Sequence, residues 1–296
     1  MARILNEAVA ARAFPGAVVA IGRRDTVLYL QAFGNLDYEH QQPVTMRTVY
    51  DIASLTKVVG LTTAIMMLVE EHRLDLDAPV RGYVQMFGYA HDSTVTVRHL
   101  LTHSSGLPAW KPYWQRARDR DEVFDMAAHE PPEDPLHTRM VYSDVGAINL
   151  TKMVEVLSGQ RLDRFLRQRL FDPLGMRDTR YLPPKTWLSR IAPTELDTTY
   201  RHTMVRGVVH DENAYAMGGV SGHAGLFSTA PDLVKFVQML LGAWTDRRTD
   251  GQTDRQTVRL IDPEIVQMFT QVQEPTFSTR ALGWDTPSAN SSAGSQ

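Results

Sequence analysis

Five lysines stand among the 31 basic residues, and only Lys57 has a serine three positions upstream. The run Ser54-Leu55-Thr56-Lys57 opens a long apolar stretch. At i and i+3 the two side chains share one face of a helix. A serine hydroxyl attacks a carbonyl carbon only if a neighbour takes its proton, and a poorly solvated lysine can serve as that neighbour. The start of a helix adds backbone N–H groups that stabilise developing negative charge. A bare S-x-x-K arises by chance about once in 300 residues at average amino-acid usage, so the pair needs a second signal. Tyr142-Ser143-Asp144, just ahead of another helical pattern, is a candidate. A tyrosine beside a lysine can shuttle a proton. An ordinary buried tyrosine followed by a helix cap would give the same letters.

Those residues need a scaffold, and hydropathy patterning outlines one. Ala2–Phe14 carries Ile4, Leu5, Ala8 and Val9 on one helix face and is stopped by Pro15-Gly16. Ala17–Gly22 and Val27–Phe33 flank the polar turn Arg23-Arg24-Asp25-Thr26 and read as an antiparallel hairpin. Ser54–Val69 is apolar on all sides, the mark of a buried helix. Helical patterns follow at Val97–His103, Asp121–His129, Asp144–Ser158 and Leu162–Leu170, separated by proline-rich loops. After the glycine-dense Gly218–Gly225 comes a helix over Pro231–Leu241, capped by Ser228 or Thr229, and a shorter one over Asp262–Gln271. Thr245–Thr257 has no apolar residue and reads as a solvated insertion; Ser288–Gln296 reads as a disordered tail. A two-stranded hairpin does not stand alone, so further strands are expected beside it in an α+β fold.

Composition removes other classes. The 296 residues are 43% hydrophobic and 22% charged, which excludes collagen-like, coiled-coil and disordered chains. A net charge of −3 gives no electrostatic reason to expect nucleic acid as a partner. The absence of cysteine excludes disulfides, thiolate zinc sites and cysteine nucleophiles. No apolar run reaches the roughly 18 residues a transmembrane helix needs. The first residues lack the apolar block of a secretory leader. As it stands the chain is expected to be cytoplasmic, or periplasmic or secreted if its start has been trimmed.

In order along the chain, several segments resemble the serine β-lactamase and penicillin-binding superfamily, in particular its class C β-lactamase and family VIII carboxylesterase branch. DIASLTK, with Ser54 and Lys57, is similar to the nucleophile motif, and Leu100–Pro108 (LLTHSSGLP) to a signature after the first long helix. Tyr142-Ser143-Asp144 is similar to the Tyr-x-Asn motif, and Pro173–Thr179 and Gly222–Asp232 (GHAGLFSTAPD) also match. The resemblance covers roughly residues 5–285 and implies an antiparallel sheet flanked by helices plus a mostly helical domain. The sheet domain would comprise 1–58 and 206–296, and the helical domain 59–205. It also implies Ser54 as nucleophile, Lys57 as its activating partner, Tyr142 as general base and acid, and the Ser54 N–H as an oxyanion donor. No cofactor or metal is implied. The expected substrates are small esters, β-lactams or peptides; the oligomeric state is left open.

Two departures matter. Asp144 stands where the family has Asn, and a carboxylate cannot donate to a substrate amide carbonyl. This favours simple esters, hence a carboxylesterase, over the alternatives of a β-lactamase or D-Ala-D-Ala carboxypeptidase. It also suggests that Asp144 holds Lys57 as a cation. Second, the family's Lys/His-Thr/Ser-Gly motif near the C-terminus is absent, so the chain is expected to stop short of that strand. His223-Ala224-Gly225 resembles it in letters but lies in the preceding GLFSTA segment and reads as structural. Trp110, Tyr113 and Trp114 could line an acyl pocket or merely pack a loop. A zinc enzyme is disfavoured because His99 and His103 lack the Glu of H-E-x-x-H, and an α/β-hydrolase because no G-x-S-x-G occurs. A non-catalytic recognition domain on the same fold is the reading of another class; retained Ser54, Lys57 and Tyr142 argue against it.

Overall fold

The computed structural model describes residues 1–39, 42–88, 94–245 and 259–287. Helix α1 (Ala2–Ala10) precedes β1 (Gly16–Arg23) and β2 (Thr26–Gly34). β3 (Tyr50–Asp51) leads into the segment carrying Ser54 and Lys57, which is π-helical over Lys57–Thr62 and continues as α2 (Thr63–Glu70). Then come α3 (Val97–Leu101), α4 (Arg120–His129), α5 (Asp144–Ser158) and α6 (Leu162–Leu166). They are followed by β4 (Arg180–Tyr181), β5 (Leu196–Asp197), β6 (Thr203–Met204) and α7 (Glu212–Ala216). β7 (Leu226–Ser228), α8 (Ala230–Thr245) and α9 (Pro263–Thr270) complete the fold. The insertion expected over 245–257 lies outside the described residues except for Thr245, which ends α8; so does the tail 288–296.

Local chemistry sets most boundaries. Ser143 Oγ accepts the Gly146 N–H at 3.0 Å at the start of α5, and Gly159 turns left-handed at φ 68° just past its end. Thr229 Oγ1 accepts the Asp232 N–H at 3.4 Å, and α8 runs from Ala230 to Thr245, longer than the expected 231–241. Helix α1 stops at Ala10 rather than Phe14, because Arg12 adopts φ 57° and turns the chain before Pro15. The hairpin pairs Gly16 with Gly34 through to Arg23 with Thr26. Gly34 is required at its open end: at φ +67° a Cβ would lie 2.2 Å from the Pro15 carbonyl oxygen.

The expected α-helix over 54–69 is wider in its first turns. The Thr63 hydroxyl donates to the Val58 carbonyl five residues back at 3.1 Å. Gly60 lets the side chains of Leu166 and Leu226 close in; a Cβ there would meet them at 3.1 and 3.2 Å. Such π turns recur at functional sites.

The strands pair in three separate groups among the described residues. The hairpin stays two-stranded, so the further strands expected beside it are not found there. Instead β3, β7 and β4 form an antiparallel sheet in that order, and β5 pairs with β6. β7 supplies the middle of the GHAGLFSTA segment, and it fixes the start of the Ser54 helix. The Ile52 N–H donates to the Leu226 carbonyl at 3.0 Å, and the Leu226 N–H donates to Thr56 Oγ1 at 3.1 Å. Helix α2 sits at the centre, against α5 and α9, with Ile65, Met66, Leu68, Ile148, Met153 and Phe269 in one buried cluster. Helix α8 joins β1 to α9, and α1 lies on β2. Among the described residues no helix is long and apolar enough to cross a membrane.

Candidate active site

Ser54 sits exposed on a turn between β3 and the π-helical segment. The turn is built around Asp51. One of its carboxylate oxygens accepts the Ala53 N–H, the other the His210 N–H, each at 2.8 Å. Ala53 holds φ 46°, a left-handed conformation that a residue with a Cβ adopts at some cost. Burial pushes the Asp51 carboxyl above its usual range, while these two N–H groups pull the other way. No described hydrogen bond uses the Ser54 N–H, which leaves it free to face a developing oxyanion.

Lys57 is buried and lies at the hub. Its Nζ donates to Ser54 Oγ at 3.0 Å and to the His223 carbonyl at 3.0 Å. Asp144 Oδ1 lies 2.6 Å from Nζ, a Coulombic contact not aligned as a hydrogen bond. The Tyr142 ring centroid is 4.8 Å from the same nitrogen. The ammonium thus meets a hydroxyl, a carbonyl, a carboxylate and an aromatic face. Among the described residues no hydrogen bond ties the hydroxyl of the exposed Tyr142 to Ser54 or Lys57; the contact with the lysine is through the ring face.

Tyr142-Ser143-Asp144 is held by the segment that follows α3, which gives LLTHSSGLP a physical meaning. His103 Nδ1 accepts the Ser143 N–H at 3.1 Å, and the His103 carbonyl accepts the Val141 N–H at 2.8 Å. Ser143 Oγ donates to the Pro108 carbonyl at 2.7 Å, and the Asp144 N–H to the Ala109 carbonyl at 2.8 Å. Burial, with the nearby charges of Arg280 and Lys57, pushes the His103 imidazole down to about 3, so the ring is neutral and keeps Nδ1 as an acceptor. The sequence disfavours His103 as a metal ligand, since its pairing with His99 lacks the Glu of H-E-x-x-H; through the Ser143 N–H its ring helps to place Asp144.

The other sequence candidates fall in different places. Tyr113 is 5% exposed, and its hydroxyl donates to Glu130 at 3.0 Å. That placement leaves it no surface for a substrate. Trp110 is exposed, while Trp114 packs on Tyr200 with centroids 4.4 Å apart. The His223 imidazole is buried and meets Lys57 only through the backbone. Gly225, at φ +118°, passes so close to Gly219 that a Cβ would lie 2.9 Å from its carbonyl.

One residue of the site escaped the sequence reading. Arg280 stacks on the Tyr142 ring with 5.1 Å from guanidinium carbon to centroid. Its side chain is 15% exposed, and its Nε is buried without a hydrogen-bond partner. The ion pair it makes is with the half-exposed Asp285, at 3.9 Å. Gly283 brings this segment in: at φ +76° a Cβ would stand 2.2 Å from Thr62 Oγ1, on the Lys57 helix itself.

An exposed serine with a buried lysine one turn on, and a Tyr-Ser-Asp loop packed across that lysine, define the class of S-x-x-K serine enzymes. A sequence model of the family described as Beta-lactamase matches residues 1–292, and the chain belongs to that family of serine hydrolases. It is 32% identical over 304 residues to an Escherichia coli K12 protein provisionally named a D-alanyl-D-alanine carboxypeptidase, covering 92% of this chain and 68% of that one. The octameric penicillin-binding protein homologue of Pyrococcus abyssi superposes with a TM-score of 0.72 at 25% identity, over 95% of this chain and 63% of that one. A class C β-lactamase from Rhodobacter sphaeroides shares the fold, with a TM-score of 0.73 at 21% identity, over 100% of this chain and 80% of that one. The chain therefore spans roughly two-thirds of the length of the first two.

Proposed function

We propose that the protein hydrolyses small acyl esters, as a carboxylesterase does, through an acyl-enzyme on Ser54. The observation that carries this reading is the 3.0 Å contact between the exposed Ser54 hydroxyl and buried Lys57 Nζ. In this proposal Tyr142 acts as a phenolate that turns its oxygen to Ser54 in the bound complex: Ser54 Oγ attacks the substrate carbonyl and passes its proton to that oxygen, while the Ser54 N–H faces the oxyanion. Lys57, held as a cation by Asp144 and the His223 carbonyl, polarises both. Tyr142 then gives the proton to the leaving alkoxide. In the second half a water gives its proton to Tyr142 and attacks the acyl carbon; the acyl–Oγ bond breaks, and Tyr142 returns that proton to the departing Ser54 Oγ. Asp144, engaged with Lys57 at 2.6 Å, offers no donor to an amide carbonyl, which supports esters. Intact-mass measurement after mixing with a p-nitrophenyl ester should show an acyl adduct on the wild type. Neither adduct nor turnover should appear with Ser54→Ala; a Ser54→Ala protein that turns over normally overturns the assignment.

A second reading has its own support. Arg280 is an under-paired cation beside Tyr142, suited to a substrate carboxylate, and the Escherichia coli relative is named for a carboxypeptidase activity. Under this reading the leaving group carries a free carboxylate. Arg280→Gln should then raise KM for carboxylate-bearing esters or D-alanyl peptides by about 10-fold or more and leave neutral esters nearly unchanged, since a charged hydrogen bond contributes about 1.5–3 kcal/mol. Equal effects on both substrate types would remove this reading and keep the first.

A further inference from the structure

Asp211, His223 and Ser221 form a hydrogen-bonded row that looks at first like a second nucleophilic triad. His223 Nδ1 lies 2.7 Å from Ser221 Oγ, and Nε2 lies 2.8 Å from Asp211 Oδ1. Ser221, however, is 0% exposed, so its hydroxyl reaches no substrate. The backbone shows what the row holds. The His223 carbonyl is the acceptor 3.0 Å from Lys57 Nζ. The loop around it is pinned on both sides: the Ser221 carbonyl accepts the Tyr181 hydroxyl at 2.9 Å, and the Gly222 N–H donates to Thr151 Oγ1 at 2.8 Å.

The row continues to the nucleophile. Asp211 follows His210, whose N–H donates to Asp51, the residue around which the Ser54 turn is built. Arg201 donates to the Val209 and His210 carbonyls, each at 2.6 Å, and is anchored by the buried Asp197 carboxylate, also at 2.6 Å. Hydrogen bonds from Arg201, Tyr200 and Thr199 hold Asp197 far below the ordinary carboxylate range, so this anchor stays ionised. The Asp211 carboxyl is also lowered. Burial opposes the shift, and the His223 ring, the Ala214 N–H and the charge of Lys57 outweigh it.

We infer that Asp211 and His223 are positioning residues. Residues 209–211 form a strut with one end fixing the Ser54 turn through Asp51 and the other fixing the Lys57 ammonium through the clamped His223 carbonyl. The strut sets the Ser54–Lys57 distance, and the imidazole itself touches no reacting atom. This rests on Ser54 and Lys57 being the reactive pair. A misplacement of about 1 Å at such a pair costs about 100-fold in rate.

The test measures phosphonylation of Ser54 by a fluorophosphonate, together with kcat, KM and the melting temperature, in full-length variants. His223→Ala removes the clamp. His223→Gln keeps an amide N–H for Asp211 and a carbonyl for Ser221. Asp211→Asn keeps the helix cap on the Ala214 N–H and removes the charge. We expect His223→Ala and Asp211→Asn to slow labelling and kcat by 10-fold or more with KM within 3-fold. His223→Gln should recover most of the loss. A fold defect alone would lower the active fraction without this split or rescue. If the wild type is labelled but folded Asp211→Asn and His223→Ala are labelled within 2-fold of its rate, the strut is overturned. The same holds if His223→Gln is folded and no better than His223→Ala. If His223→Ala does not fold, Asp211→Asn against the wild type decides. A wild type that does not label at Ser54 overturns the parent reading, and the inference with it.

Discussion

Replacing Asp144 with Asn probes whether the carboxylate serves the lysine or the substrate. Asp144 Oδ1 lies 2.6 Å from Lys57 Nζ, with side-chain exposures of 19% and 7%. At an effective dielectric of about 20 the gross Coulomb attraction is about 6 kcal/mol. Desolvation offsets much of it, and removing one partner of a buried pair costs about 3–5 kcal/mol. Two features lower that figure: Asp144 retains contact with water, and the negative end of the Asn amide dipole would still face Nζ. A net loss of about 2 kcal/mol follows, equivalent to roughly a 30-fold drop in ester kcat/KM if Lys57 must be cationic in the transition state. The Asp144 N–H still bonds the Ala109 carbonyl, so the loop should keep its course. For a cephalosporin the new amide donor compensates, and activity should fall less or rise. The assay compares kcat/KM for p-nitrophenyl butyrate and a chromogenic cephalosporin in both proteins, with urea unfolding as control. The ratio should shift towards the cephalosporin by at least 10-fold. An unchanged ratio with folded protein refutes the idea that Asp144 governs substrate choice, and a wild type already preferring the cephalosporin refutes the ester reading.

Two stability predictions accompany it. The His103 imidazole, at about 3 when folded against 6.5 as reference, is neutral in the folded protein, so the unfolded chain takes up the proton first as pH falls. Its contribution is present above about pH 6.5 and is lost towards pH 3 at up to about 1.4 kcal/mol per pH unit, so His103→Gln should flatten urea-derived stability between pH 6 and 4. An unchanged slope would show that His103 is not the group responsible. Gly283→Ala imposes a left-handed φ on a residue with a Cβ and drives that Cβ to 2.2 Å from Thr62 Oγ1. It should destabilise by about 2 kcal/mol or more; a loss under about 0.5 kcal/mol would mean the loop moves away freely.

What the sequence disclosed depended on how far apart the interacting residues lie. Ser54 and Lys57 are one helical turn apart, so their meeting could be read from spacing alone. Helix α5 matches its expected span because both of its ends, Ser143 and Gly159, are written in local letters. The π turns over Lys57–Thr62 were invisible: the helix widens where Gly60 admits Leu166 and Leu226, more than a hundred residues away. Distance likewise hid His103, whose ring serves a backbone N–H 40 positions on, and Arg280, whose partner is the face of Tyr142. His223 is the instructive case. Its letters resemble the family's Lys/His-Thr/Ser-Gly motif while its place in the GLFSTA segment reads as structural, and the contact it makes with the site is through a main-chain carbonyl 166 residues from Lys57. Every residue offers that carbonyl, so no residue type announces it. The side chain selected at 223 is the one that can be gripped at both ring nitrogens by Ser221 and Asp211. The chemistry legible in a sequence is thus that of side chains acting in place; where a side chain acts by holding its own backbone, only the folded geometry reveals what it holds.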